Sequence, residues 1–241
     1  MKLMIIRHGD PDYSIDSLTE KGRREAELLA RRLKEVKIDA FYVSPLGRAR
    51  DTAEYTLKAK NAEATVCPWL REFHAPVLDM HTGEERLPWD LLPQDWTAVE
   101  EYYSKDLWHT VPMMSQGRVN DEALRVFAGI DEILKDHGYE REGNYYRAVR
   151  PNRETIALFC HFGVECVMLS HLLGISPVVL WQGLCAAPSS VTSLITEERR
   201  KGIAYLRMNT FGDTGHLYKY GEEPAFAARF CEIYDCDERH D

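Results

Sequence analysis

Short apolar runs alternate with longer amphipathic stretches along this chain. Met4-Ile5-Ile6 is apolar and turns abruptly into Arg7-His8-Gly9-Asp10. The run is too short for a useful helix, so it predicts a buried strand closing on a glycine-permitted turn. Pro11 to Ser17 reads as a polar loop. Thr19 then caps a helix whose apolar face carries Ala26, Leu29, Ala30, Leu33 and Val36. Asp39 to Val43 predicts a second strand. Ser44-Pro45 supplies an N-cap followed by proline at the first helical position, with Ala49, Ala53, Thr56 and Leu57 along one face of the helix. Thr65-Val66-Cys67 is a short third strand. Strands alternating with helices predict a parallel sheet with right-handed crossovers.

Between about 73 and 153 that rhythm breaks. Pro76, Pro88, Pro93 and Pro112 punctuate the segment, and Trp89, Trp96 and Trp108 make it too aromatic for a disordered linker. A capping box from Thr97 to Glu100 predicts one helix. A second is expected from an Asn120 cap through Leu124, Phe127, Ile130 and Leu134 to Gly138. The segment reads as a mostly helical insertion covering one end of the sheet, its tryptophans serving core and lid packing. Glu154 to Cys160 is another buried-strand pattern, and His161-Phe162-Gly163 opens a helix that stops at Gly174. Ser176-Pro177 starts one more. Ser190 to Thr196 and Ile203 to Met208 alternate across Lys201-Gly202, like an antiparallel hairpin at the sheet edge. The expected fold is α/β: one domain over 1–241, three-layer α/β/α, with a mostly parallel sheet, an antiparallel edge hairpin and a helical cap at about 73–153.

Composition narrows the function. With 241 residues, 44% of them hydrophobic, the chain can bury a sizeable core. A net charge of −9 argues against nucleic acid or an anionic membrane as partner. No apolar run approaches the roughly 20 residues of a membrane span, and no signal peptide is visible. The cysteines lack disulfide-framework or ligand-like spacing, which predicts reduced thiols and a cytoplasmic location. His74, His81, His109 and His137 form no pair with metal-ligand spacing, so structural or surface roles are expected for them and neither a metal nor another cofactor is implied. The edge hairpin and the aromatic insertion are each compatible with a homodimer.

The candidate chemistry sits at strand ends. Two strands each end in a histidine at a loop, His8 beside Gly9 and His161 near Gly163, and a third ends where Arg48 enters a helix. In a parallel sheet these ends meet at one edge, where ligands bind. Two imidazoles, the Arg7 and Arg48 guanidiniums and a helix N-terminus then converge, as a phosphate dianion requires. Cys160 reads as a small buried residue rather than a nucleophile.

This arrangement resembles the histidine phosphatase superfamily, the phosphoglycerate mutase-like fold. Arg7-His8-Gly9 resembles its signature, and Ser44 to Ala53 its second block. Leu70-Arg71-Glu72 is similar to the block carrying the family's acid, Cys160 to Gly163 to its last block, and Gly212 to Leu217 to a common C-terminal ending. The resemblance implies metal-independent hydrolysis of a small phosphomonoester through a phosphohistidine on His8. Arg7, Arg48, His161 and Phe162 would bind the substrate, His161 also acting in catalysis. Glu72 would protonate the leaving oxygen and then activate water, with Glu84, Glu85, Asp10 and Glu165 as competing acids. The chain departs from the family pattern in having Asp10 after the signature glycine and Phe162 between His161 and Gly163. It also lacks the Arg-His-Tyr-Gly run of the glycolytic mutases after Glu72, which favours phosphatase over mutase. A mutase, or a catalytically weak module binding a phosphorylated ligand, are the alternatives. Retention of all four pocket residues speaks against the latter.

Overall fold

The computed structural model describes residues 1–79 and 82–226. His81, and all of the acidic C-terminal tail beyond Phe226, lie outside the described residues. The main sheet is built from β1 (Lys2–Arg7), β2 (Ala40–Val43), β3 (Thr65–Val66), β4 (Tyr139–Glu142), β5 (Tyr145–Ala148), β6 (Thr155–Cys160), β7 (Val191–Arg200) and β8 (Ile203–Asp213). Its spatial order is β3-β2-β6-β1-β7-β8-β5-β4. The β3, β2, β6 and β1 strands run parallel, and every pairing from β1 outward to β4 is antiparallel. The long helices are α1 (Glu20–Lys34), α2 (Gly47–Lys60), α3 (Val119–Asp136) and α4 (Phe162–Leu173), with the shorter α5 (Pro177–Gly183) after them.

The β1 and β6 strands are apolar between their first and last residues because both faces are covered. Met4, Ile6, Ala157 and Phe159 pack with Leu29 and Leu33 of α1 and Ala53 of α2. Leu3, Ile5, Ile156 and Leu158 point the other way, into the core shared with α3, α4 and α5. A period of two along each strand puts successive side chains into the two separate layers. Each fully buried Leu or Ile contributes about 1.5–3 kcal/mol. The Thr19 cap forms as expected, its hydroxyl accepting the Gly22 N–H at 3.0 Å.

Several expectations are corrected. Helix α2 starts at Gly47, not after Ser44; its N-cap residue is Leu46, and the Ser44 hydroxyl turns into the site instead. The capping box at Thr97 does not form. Only a single turn, Pro93–Trp96, and a 3₁₀ turn, Glu100–Tyr103, surround it, and the Thr97 hydroxyl donates back to the Pro93 carbonyl. Helix α3 begins two residues early, with Arg118 rather than Asn120 at its cap, and it buries Ala123, Val126, Ile130 and Ile133 while Leu124 faces solvent. The β7–β8 hairpin flanks the parallel half but is not outermost. A second hairpin, β4–β5, adds to β8 and takes the edge. It belongs to the stretch read as helical, where Tyr139, Tyr146 and Ala148 are buried and the residues between them carry charge.

Candidate active site

Register alone brings the histidines together. In the parallel pair Arg7 lies opposite Cys160, so His8 and His161 are the first residues past two aligned strand ends. Val43 lies opposite Phe159, which places Ser44 level with Arg7 and Cys160, one residue before the histidines. The His8 and His161 rings are 5.0 Å apart between centroids, and both are buried.

His8 is held in one tautomer. Its Nδ1–H donates to the carbonyl of Gly9 at 2.8 Å, which puts the lone pair on Nε2. The Arg48 Nε–H approaches that same Nε2 at 3.4 Å. Burial, reinforced by the positive charges of Arg7 and Arg48, holds the ring well below the usual imidazole range, so His8 is neutral at physiological pH. The main chain around it is fixed by Ser189 N–H donating to the His8 carbonyl and Gly9 N–H donating to the Thr52 hydroxyl, both at 2.9 Å. Gly9 is required by close approach: a Cβ there would sit 2.8 Å from the carbonyl oxygen of Gly22 in α1.

His161 caps α4 from outside the helix. Its Nε2 meets the Ser44 hydroxyl at 2.8 Å, while its Nδ1 is buried with no hydrogen-bond partner among the described residues. With Ser44 donating to Nε2, the proton of the neutral ring sits on Nδ1 as a donor suited to a phosphoryl oxygen. Burial first, then His8 and the two arginines, keep this ring neutral as well.

The guanidiniums are anchored from behind. Arg7 donates Nη1–H to the Ala186 carbonyl and lies 5.7 Å from the Phe162 ring centroid. Phe162 is therefore a buried platform under Arg7, packed where a cation–π contact adds to its hold. Arg48 is paired with Asp16 at 2.6 Å and lies 5.4 Å from the Tyr13 ring centroid. The other Asp16 oxygen accepts the Gly47 N–H at 2.7 Å. The helix N-terminus expected to face the anion thus gives its first amide to a carboxylate of the chain itself. Asp16 escaped sequence reasoning; its only trace is a polar residue in a tight loop, and it adopts a left-handed φ of 48°.

Glu72 sits across the pocket on the N-terminus of α4. Its oxygens accept N–H bonds from Phe73 at 2.7 Å, Val164 at 2.9 Å and Gly163 at 3.3 Å. Those donors and Arg7 favour the carboxylate, but burial outweighs them and raises the group above the ordinary range. Of the competing acids, Glu84 and Glu85 are exposed in the cap and Asp10 is engaged with Thr19. Glu165 is buried one turn into α4 and pushed up to about 7 by burial. Cys160 is fully buried, its thiol raised well above the ordinary value. His137 is tied to Tyr42 and Glu154, His74 is exposed, and His109 stands edge-on to Trp108. Among the described residues no group of three or more His, Cys, Asp or Glu is arranged to hold a metal, and no helix is long and apolar enough to cross a membrane.

Two neutral imidazoles facing each other between two anchored guanidiniums, at the carboxyl ends of parallel strands, define a phosphoryl-transfer pocket of the histidine type. The chain belongs to the histidine phosphatase superfamily (branch 1), whose model matches residues 3–209. It is 32% identical over 143 residues to the probable phosphoglycerate mutase GpmB of Photorhabdus laumondii, a match covering 54% of this chain and 62% of that protein. It is 25% identical to phosphoserine phosphatase 1 of Hydrogenobacter thermophilus, over 90% of this chain and 96% of that one. Among solved structures it shares the fold of a phosphoserine phosphatase mutant from Entamoeba histolytica in complex with phosphoserine, with a TM-score of 0.61 at 19% identity, covering 90% of this chain and 98% of that one.

Proposed function

We propose that this protein is a phosphatase that hydrolyses a small phosphomonoester through a phosphohistidine on His8. The observation that carries the reading is the His8 tautomer: Nδ1 is engaged by its own chain, so the Nε2 lone pair faces the pocket, met by Arg48 Nε–H at a long 3.4 Å beside the His161 ring. In the first step Nε2 attacks phosphorus, the P–O ester bond breaks, and the Glu72 proton passes to the leaving oxygen. Arg7, Arg48 and His161 Nδ1–H neutralise the equatorial oxygens, a role their fixed positions perform without reorganisation. In the second step Glu72, now a carboxylate, takes a proton from water as its oxygen attacks phosphorus. The N–P bond breaks, inorganic phosphate leaves, and His8 and Glu72 return to their starting states. Four described cysteines are unpaired, which supports a reducing cytoplasmic setting.

Hydrolysis of p-nitrophenyl phosphate in EDTA tests the proposal. Turnover is expected in the wild type and at least a thousandfold less in His8→Ala, consistent with loss of a nucleophile acting within a unit. Equal rates in the two proteins would refute His8 as nucleophile. Absence of wild-type turnover together with acid-labile labelling of His8 from a bisphosphate donor would replace the phosphatase with a mutase.

A further inference from the structure

Gly163 is the second residue of α4, and it is crowded from two sides. A Cβ there would stand 2.7 Å from Glu72 Oε1 and 2.7 Å from Cζ3 of Trp89. The carboxyl group and the indole edge are therefore seated on one glycine, no further apart than those two distances together. Trp89 comes from the insertion, in a turn without regular secondary structure, yet it is buried. Its place is set by side-chain packing: its ring lies 6.0 Å from Trp181 and 6.4 Å from Phe73, centroid to centroid. Trp181 is itself fixed, donating its indole N–H to the Gly163 carbonyl at 3.0 Å and meeting Trp108 edge-on at 5.7 Å. The carbonyl of Pro88, immediately before Trp89, accepts from the Gln182 side chain of α5 at 3.5 Å.

We propose that Trp89 is a positioning residue of the active site: its indole, seated beside the Glu72 carboxyl on Gly163, excludes water from the acid and makes proton donation to the leaving oxygen depend on the cap being in place. The inference rests on Glu72 being the proton donor. An apolar ring beside a carboxyl removes hydration that main-chain N–H groups only partly replace, and it keeps the proton on the acid to higher pH. The direction in which burial moves Glu72 agrees with this arrangement. The groups around the carboxyl are the Phe73, Gly163 and Val164 amides, Arg7 from β1, the Cys160 thiol from β6, and Glu165 and the Cys166 thiol from α4; the indole contributes no charge and acts by displacing solvent.

The test compares two aryl phosphates in EDTA. p-Nitrophenolate departs without a proton, whereas phenolate needs one, so the ratio of their kcat/KM values reads the acid. Wild type, Trp89→Ala, Trp89→Phe and Glu72→Gln are compared across pH. The expected result is a ratio rising about tenfold in Trp89→Ala, a fraction of the 10²–10⁴ that general acid catalysis supplies. The alkaline fall in phenyl phosphate turnover should also move to lower pH, with Trp89→Phe restoring part of both effects. Equal losses on the two substrates with an unmoved alkaline limb would overturn the proposal, because a merely structural role reduces both alike. If Trp89→Ala does not fold, Trp89→Phe decides by the same two readouts. An unchanged ratio in Glu72→Gln removes the acid reading and the proposal with it. A raised ratio there, with none in either Trp89 variant, removes the Trp89 role alone.

Discussion

The two sides of the site are built by different means. On the phosphate side, His8, Arg7, His161 and Ser44 stand at or just past aligned ends of parallel strands, and the backbone itself sets their spacing. On the leaving-group side, Glu72 follows a 3₁₀ turn and is held by main-chain N–H groups, while Trp89 lies in a turn and is held by tilted aromatic rings. The insertion around Trp89 also forms an open pocket of about 310 Å³, with an apolar floor of Leu91, Leu92, Val99, Tyr102, Val111 and Met113 and the charged Asp79, Arg86, Asp90 and Asp95 beside it. A strand-end site is rigid and presents one geometry to every phosphate. A side-chain-packed cap can differ in shape without disturbing the register beneath it. Under the proposed function, phosphoryl recognition falls to the strand ends with Arg48, and discrimination among leaving groups to the cap.

Removing Asp16 strikes the phosphate side and gives the largest expected effect among the residues that only position the reacting groups. Asp16→Ala frees Arg48 from its 2.6 Å ion pair and leaves the Gly47 amide without its acceptor. Misplacing a phosphate clamp by about 1 Å costs on the order of 10²-fold, so kcat/KM should fall by about that factor. The fall should be the same for phenyl and p-nitrophenyl phosphate. A loss confined to one of them would break the division between the two sides.

Gly163→Ala should act next, and on the opposite side. The added methyl group meets the Glu72 carboxylate and the Trp89 ring, both within 3 Å. Displacing the acid is expected to cost about tenfold on phenyl phosphate and much less on p-nitrophenyl phosphate. Parallel losses on the two would show that the methyl disturbs His161 as well, since both residues begin the same helix.

The smallest effect on turnover is expected from Glu25, a buried carboxyl beneath the phosphate side. It accepts N–H bonds from Asp10 at 2.8 Å and from Ala225 at 2.9 Å. Burial moves it from 4.5 to about 7. The folded state then holds this proton more tightly than the unfolded chain, so its contribution to stability is complete below 4.5 and is lost as pH rises towards about 7. That amounts to about 3 kcal/mol over the window. Urea denaturation of wild type and Glu25→Gln at pH 5 and pH 8 checks it. The stability difference between the two should shift against the wild type as pH rises, the buried histidines cancelling because both proteins carry them. A difference independent of pH would mean that Glu25 titrates as an ordinary carboxyl.

Much of the phosphate side could be read from the chain. Apolar runs ending in Arg7-His8-Gly9 and Cys160-His161 mark buried strands with chemistry at their ends, because a strand covered on both faces has no other place for polar groups. The cap resisted such reading. Its short turns at Pro93, Glu100 and Pro112 have no period to detect, and the β4–β5 hairpin was hidden because its strands are four residues each, too short to separate alternation from chance. Asp16 and Trp89 were invisible for a related reason: each acts on a residue distant in sequence, Arg48 in one case and Glu72 in the other.

By itself, then, the sequence determined the apolar strands, the long helices and the candidate residues at the strand ends, since hydrophobic period and local capping depend on near neighbours. Only the tertiary structure decided that Ser44 serves His161 rather than a helix cap, that Asp16 closes the α2 terminus, and that an indole from the insertion rests beside the acid. Those outcomes depend on which distant surfaces compete for the same buried space, and that competition is resolved only when the whole chain packs.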